Sequence, residues 1–400
     1  MVNTNTFRNQ ERQIVLIVFG IMLIRAVFLF LMGPMPQDAY YFFYSQHLAL
    51  SYFDHPPMIA YILSLFTTVL GKHVVAIKLA DTVTTVLTIV LFYRLSKCFL
   101  GHKQASKALL LLLSTFMVTI LSLISTPDVP LLMFWALSLN FLYQAVFNNK
   151  NLYWIWAGIA MGLTFDSKYT GIFIPAGLIL FLLLSDVHRK RFLSIWFWLA
   201  VLSFFITILP VIIWNVQHDF ASFKFQSTAR MNDPGMHLQI KYFLGLVGHQ
   251  SFILMPILLG SILYFSYRVL KSKQFNPLKL DSKKQFLLCF SLPMILCFVL
   301  VSFFAWVKLN WIMPAYLSAI ILVSLYLSDK WLRVQVVFSA LIHVLLAFEI
   351  IFYPVQVKSD DTWYGWNQLS DQVKTLQKKY ATYFVFSADT YKTSAELNLY

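Results

Sequence analysis

Charge is scarce in this 400-residue chain: only 12% of its residues are Asp, Glu, Lys or Arg, against 59% hydrophobic ones. So few polar side chains cannot cover a soluble globule of this size, which excludes that class and leaves a polytopic membrane protein. Acids are scarcest, 17 against 31 Lys and Arg, for a net charge of +14. In a soluble protein that excess points to nucleic acid. Here the basic residues fall almost wholly in alternate loops between apolar runs, so no nucleic-acid partner is expected. Cysteine is limited to Cys98, Cys289 and Cys297, all in or beside apolar runs, which leaves no disulfide framework and no metal-ligand spacing. Also missing are GxxxxGK[ST], GxGxxG after a strand, HExxH, internal repeats and low-complexity tracts. Soluble nucleotide binding and zincin-type proteolysis therefore lack support.

What is present is a series of apolar runs long enough to cross a hydrocarbon core roughly 30 Å thick. About eleven are read, near 13–32, 75–97, 105–124, 130–148, 152–166, 169–185, 193–213, 239–266, 285–304, 312–328 and 332–353. The first follows Arg8, Glu11 and Arg12 with no small-residue cleavage site after it, so it reads as a retained span. Basic loops at Arg94 to Lys107, Lys150, Arg189-Lys190-Arg191, Arg268 to Lys284, and Lys330 with Arg333 mark the cytoplasmic side. That places the N-terminus inside and the segment after Pro354 outside. The expected division is a membrane domain over 1–353 and a short external segment over 354–400. In the latter, Trp363 to Tyr380 reads as an amphipathic helix, Tyr383 to Ser387 as a short strand and Thr393 to Leu399 as a helical start. About 45 residues are marginal for a core of their own, so this α/β segment is expected to dock on the external face of the bundle.

The same topology sorts most unusual polar residues onto the external side. An island runs from Gln37-Asp38-Ala39-Tyr40-Tyr41 to Tyr52-Phe53-Asp54-His55-Pro56-Pro57, and the apolar but short Pro56 to Leu70 is expected to lie at the interface as a helix. Asp38 and Asp54 are the leading acids: near apolar walls a carboxylate becomes more basic and can take a proton it reaches. Helix capping by Asp38 and a turn at Asp54 are the structural alternatives. Asp128, in Ser125-Thr126-Pro127-Asp128-Val129-Pro130, is a candidate with a cap as its rival. Lys168 and Lys308 are candidate cations, with snorkelling to lipid phosphate as the alternative. The loop Trp214 to His237 carries His218, Lys224, Arg230 and His237, enough to supply cations and a metal ligand. Arg25 reads as a bundle-facing structural charge, and Lys78 and Asp81, spaced i, i+3, as a pair with each other.

Asp38-Ala39-Tyr40-Tyr41, Tyr52-Phe53-Asp54-His55-Pro56-Pro57, Thr126-Pro127-Asp128, Ser167-Lys168-Tyr169-Thr170 and Asn310-Trp311 together resemble, in order and over nearly the whole chain, the bacterial branch of the dolichyl-phosphate-mannose protein mannosyltransferase family. This GT-C group also includes the lipid A aminoarabinose transferase. The resemblance implies an all-α GT-C bundle in the bacterial inner membrane that moves a sugar, with inversion, from a polyprenyl phosphate to a lipid A, glycan or protein acceptor on the non-cytoplasmic face. It further implies Asp38 as the catalytic acid, with Asp128 kept as a second catalytic candidate, and a divalent cation at Asp54 with His218. His55, Lys168, Lys308 and the loop cation Arg230 would then contact the donor phosphate. Relatives carry Asp-Glu before Ala-Tyr-Tyr where this chain has Gln37-Asp38. Three readings stay open: Asp38 has taken over as the acid, the base is Asp54 or Asp128, or the chain binds carrier lipid without transfer. Relatives also continue past Tyr400, so the external unit reads as incomplete. The rival class, a transporter or flippase of lipid-linked sugars, predicts inverted repeats and mid-membrane polar groups, neither of which is seen.

Overall fold

The computed structural model describes residues 16, 19–21, 23, 27, 28, 31–229, 237–271, 280–356, 359, 361–388 and 390–400. Arg25, Arg230 and most of the first apolar run lie outside the described residues. The chain is a bundle of helices, with no strand among the described residues. In chain order they are α1 Pro36–Gln46, α2 Met58–Leu70, α3 Val74–Phe99, α4 His102–Leu113, α5 Phe116–Leu123, α6 Asp128–Val146, α7 Leu152–Ser167, α8 Phe173–Leu184 and α9 Ile195–Gln217. There follow α10 Ile240–Leu254, α11 Pro256–Lys271, α12 Ser282–Cys289, α13 Leu292–Val301, α14 Met313–Ser324, α15 Asp329–Phe352, α16 Trp366–Lys379 and α17 Tyr391–Leu399.

Their starts follow local chemistry. Ser194, Ser328 and Asp281 accept backbone N–H groups at the heads of α9, α15 and α12, and proline occupies the first turn of α1, α13 and α14. Helix α7 packs along α6 and α9, α6 also packs on α3, and every residue of α14 is buried. A methyl at Gly158 or Gly162 on α7 would overlap Ser203, Ala200 or Thr207 on α9, so these glycines let the two backbones approach closely.

Among the described residues, five continuous helical stretches are long and apolar enough to cross a membrane: α3, α6, α9, α12 with α13, and α15. Counting two bent pairs as single spans makes seven. Even seven stands below the eleven runs read from the sequence, because most of the first run lies outside the described residues and the runs at 152–166, 169–185 and 312–328 form helices shorter than 18 residues. The 105–124 run bends by 59° between α4 and α5, and the 239–266 run by 113° between α10 and α11. The second break passes through Met255 at φ +66°, a left-handed conformation costly for a non-glycine residue. Buried Gln335 on α15 satisfies the backbone it frees: its amide donates to the Leu254 carbonyl (3.0 Å) and Ser114 Oγ (3.2 Å), and its carbonyl accepts the Leu258 N–H (3.1 Å).

The C-terminal segment carries both expected helices, as α16 and α17. The strand expected at Tyr383 to Ser387 is corrected: these residues form no strand, since a single extended stretch without a partner has nothing to complete its hydrogen bonds. Replacing Gln335 by leucine leaves the Leu254 carbonyl and Leu258 N–H without their partner. Thermal unfolding in detergent should show a loss of about 1–3 kcal/mol, and an unchanged midpoint would contradict this account of the break.

Candidate active site

Helix α1 brings Asp38 to the end of the bundle where α3 begins and α5 ends. Asp38 is the third residue of a helix that starts at Pro36, not the cap of one starting at Ala39; its Oδ2 accepts the N–H of the cap residue Met35 (2.7 Å), and Oδ1 accepts the Ser125 N–H (2.7 Å). Lys78 from α3 donates both to Asp38 Oδ2 and to the Leu123 carbonyl. Asp38 is 0% and Lys78 1% exposed, a buried ion pair with backbone donors completing it. The expected Lys78–Asp81 pair is thus corrected. Shared helix face was a sound reason, but the ammonium has a carboxylate on α1 within reach, while Asp81 instead accepts from Ser125 Oγ (2.5 Å).

Asp54 lies in the loop before α2. Tyr44 Oη donates to its Oδ1 (2.9 Å), and His55 Nε2 stands 4.0 Å from its Oδ2. Gln226, in the short helical segment Phe225–Ala229, donates to the Asp54 carbonyl and ties that segment to the Asp54 loop. The Tyr44 ring stacks on Tyr52 at 4.0 Å, and its hydroxyl bonds that of Tyr40. Burial, and then the Asp54 charge, push the Tyr40 and Tyr44 phenols far above their ordinary value, so both stay protonated. At 19% side-chain exposure Asp54 is more accessible than Asp38.

A second buried pair joins α6 to the residue after α7. Lys168 Nζ lies 2.8 Å and 3.0 Å from the two oxygens of Asp128, and Asn310, in the loop before α14, donates to Asp128 Oδ2. Lys168 therefore turns inward onto an acid and does not snorkel. The structure brings Asp38 to Lys78 and Asp128 to Lys168 in two pairs linked by the residues Ser125 to Asp128, with Asp54 and His55 side by side in the loop before α2. Lys308 is exposed, two residues from Asn310. His218 is also exposed, stacked on Trp214 at 4.0 Å with Nδ1 donating to the Trp214 carbonyl (2.8 Å). Among the described residues no group of three His, Cys, Asp or Glu side chains gathers as a donor set. No such donor set places the cation expected at Asp54 and His218.

Sequence reasoning missed two contributions from the C-terminal segment: Asp361, whose Oδ1 accepts from the Gln37 amide (3.0 Å), and Glu396, buried on α17 against α1. Neither carries a local signal, because both reach the site from over 320 residues away in the chain.

The Lys168–Asp128 pair makes a direct prediction. Lys168→Met leaves a buried carboxylate without its cation and should cost about 3–5 kcal/mol. The double variant Lys168→Met/Asp128→Leu should recover much of that loss in detergent unfolding. A single variant as stable as the parent would contradict the pairing.

With this geometry in place, known proteins can be compared. The family model described as dolichyl-phosphate-mannose-protein mannosyltransferase matches residues 54–214, from Asp54 through Asp128 and Lys168 to α9. The chain is 26% identical over 346 residues to the lipid A galacturonosyltransferase RgtD of Rhizobium johnstonii, covering 84% of this chain and 71% of that protein. Its fold matches ArnT from Cupriavidus metallidurans bound to undecaprenyl phosphate, at TM-score 0.65 and 17% identity, over 97% of this chain and 74% of that one. It also matches an Archaeoglobus fulgidus oligosaccharyltransferase solved with zinc and sulfate, at TM-score 0.51 and 14% identity, over 95% and 61%. The family match thus falls on the segment that bears Asp54, Asp128 and Lys168, and the fold shared with ArnT extends over nearly the whole chain.

Proposed function

We propose that this protein transfers a sugar, with inversion, from a polyprenyl-phosphate donor to a lipid, glycan or protein acceptor on the non-cytoplasmic face of the bacterial inner membrane. The N-terminus is then cytoplasmic and the C-terminal segment periplasmic. The observation that carries this reading is the gathering of Asp38, Asp54, Asp128, Lys168 and His55 at one end of a membrane bundle whose sequence has no nucleotide-binding loop. Such a site has to draw its activated sugar from the bilayer. Among acceptors, lipid A is favoured by the curated relative, and a polyprenyl phosphate is the ligand of a fold neighbour. A transporter asks for polar groups near mid-membrane, whereas the two buried pairs described above share one short loop, Ser125 to Asp128, at the bundle's end.

In this reading Asp38 accepts the acceptor's proton. Two backbone N–H groups and Lys78 occupy its carboxylate oxygens, so an acceptor hydroxyl must displace one of them to reach it. Lys78 is the movable one, since it keeps the Leu123 carbonyl as a resting partner. His55, Lys168, Lys308 and Arg230 would meet the departing phosphate, stabilising charge that develops only in the transition state.

Asp38→Asn should lower transfer from a polyprenyl-phosphate sugar in membrane vesicles by about 10²- to 10⁴-fold, the usual contribution of a positioned base. Because it also strands Lys78, the companion variant Asp38→Asn/Lys78→Met should regain thermal stability but not transfer. Transfer retained by the double variant would remove Asp38 from the reaction. Comparing intact masses of lipid A, envelope glycans and secreted proteins with and without the gene would identify sugar and acceptor together.

A further inference from the structure

Helix α17 lies against α1, and its buried face brings into the Asp38 site a carboxyl that the transfer reading leaves unused. Glu396 is 0% exposed, and neither of its carboxyl oxygens has a hydrogen-bond partner among the described residues. Around it stand Asp38 on α1, Lys78 on α3 and Tyr400 at the end of its own helix. Asp81, the other acid on that part of α3, is bonded to Ser125. The Lys78 ammonium is already engaged by Asp38 and the Leu123 carbonyl. One ammonium thus faces two carboxyls, and ionising both in a dry site is the costlier arrangement. Burial first, and then the Asp38 charge, push the Glu396 carboxyl up to about 8, with Lys78 opposing them.

The rest of the contact is a set of clamps around that neutral acid. The Tyr391 ring packs on Tyr40 at 4.6 Å, and Lys392 pairs with Asp361 (2.9 Å), which also takes the Gln37 amide. Lys374 on α16 donates to the Tyr400 carbonyl (2.9 Å). Gly33 admits the segment closely, since a Cβ there would lie 2.7 Å from the Trp363 carbonyl.

We propose that Glu396 is a positioning residue for the Asp38 site, holding α17 seated on α1 while its carboxyl is neutral and releasing it once that carboxyl ionises beside Asp38. The link to catalysis rests on the reading that Asp38 serves transfer. For an acid whose value is raised on seating, the stabilisation is complete below the ordinary carboxyl range and is lost as pH rises through about 8.

The test uses the full chain in lipid nanodiscs. Proteinase K nicking within residues 391–400 is measured at pH 6 and pH 9 and divided at each pH by that of Glu396→Gln, which stays neutral and cancels the protease's own pH response. Glu396→Met, apolar and similar in size, is a second neutral reference in case the amide folds poorly. Gly33→Leu, crowding the Trp363 carbonyl, reports the nicking of a dislodged segment. The parent's ratio should rise by up to about tenfold per pH unit until the carboxyl ionises in the seated state, and its transfer should fall relative to Glu396→Gln over the same range. A flat nicking ratio overturns the proposal. A rising ratio with transfer that does not follow overturns the positioning role. Absence of transfer in every variant at every pH counts against the transfer reading alone, while the nicking ratio still decides whether Glu396 holds the helix.

Discussion

Lys78 carries a full positive charge inside a membrane helix, and the need to balance it organises one end of the molecule. An isolated ammonium at that depth is costly unless a carboxylate and further hydrogen-bond acceptors meet it. Asp38 and the Leu123 carbonyl do so, and Asp38 in turn takes the Ser125 N–H. Three separate pieces of chain, α1, α3 and the turn after α5, are therefore fixed by one charge. Helix α1, only 11 residues long, owes its place at the bundle to this pair as well as to the apolar contacts of Tyr41 and Phe42.

The second pair repeats the device a few residues away. Asp38 and Asp128 both sit in the first turn of a helix, where unpaired backbone N–H groups favour a negative charge. Both are answered by a lysine from elsewhere in the bundle, Lys78 on α3 and Lys168 at the end of α7. The residues Ser125 to Asp128 join the two: Ser125 bonds Asp38 through its N–H and Asp81 through its hydroxyl, while Asp128 receives Lys168 and Asn310. Displacing one acid must therefore strain the other through three residues of loop. Such coupling suits a site that has to keep donor and acceptor groups in register.

Much of this was legible in the sequence, and the limits have physical causes. Spans such as α3, α6, α9 and α15 are visible because apolar length is a local property. That Asp38, Asp54, Asp128 and Lys168 gather at one end follows from topology alone, since charged residues sit where apolar runs stop. Partners are another matter. Local spacing favoured Asp81 for Lys78, but a carboxylate 40 residues away competes on equal terms once the chain folds. The break at Met255 was hidden because the run stays apolar across it, and only Gln335, 80 residues on, makes it affordable in hydrogen bonds. Glu396 was invisible for the same reason: on its own short helix it reads as one more solvated acid.

The two pairs also constrain how charge can move during transfer. An ammonium already balanced by a carboxylate gains little from a second anion, so neither Lys78 nor Lys168 offers a full charge to a phosphate in the resting site. If Asp38 takes the acceptor's proton, that changes for Lys78, which withdraws onto the Leu123 carbonyl and loses its counter-charge. The positive charge then becomes uncompensated at the moment the departing phosphate gains negative charge. An interaction that strengthens only along the reaction lowers the barrier without tightening the ground state. A buried Asp–Lys pair, which contributes little to stability compared with apolar packing, is in this view kept because it stores a charge that proton transfer releases.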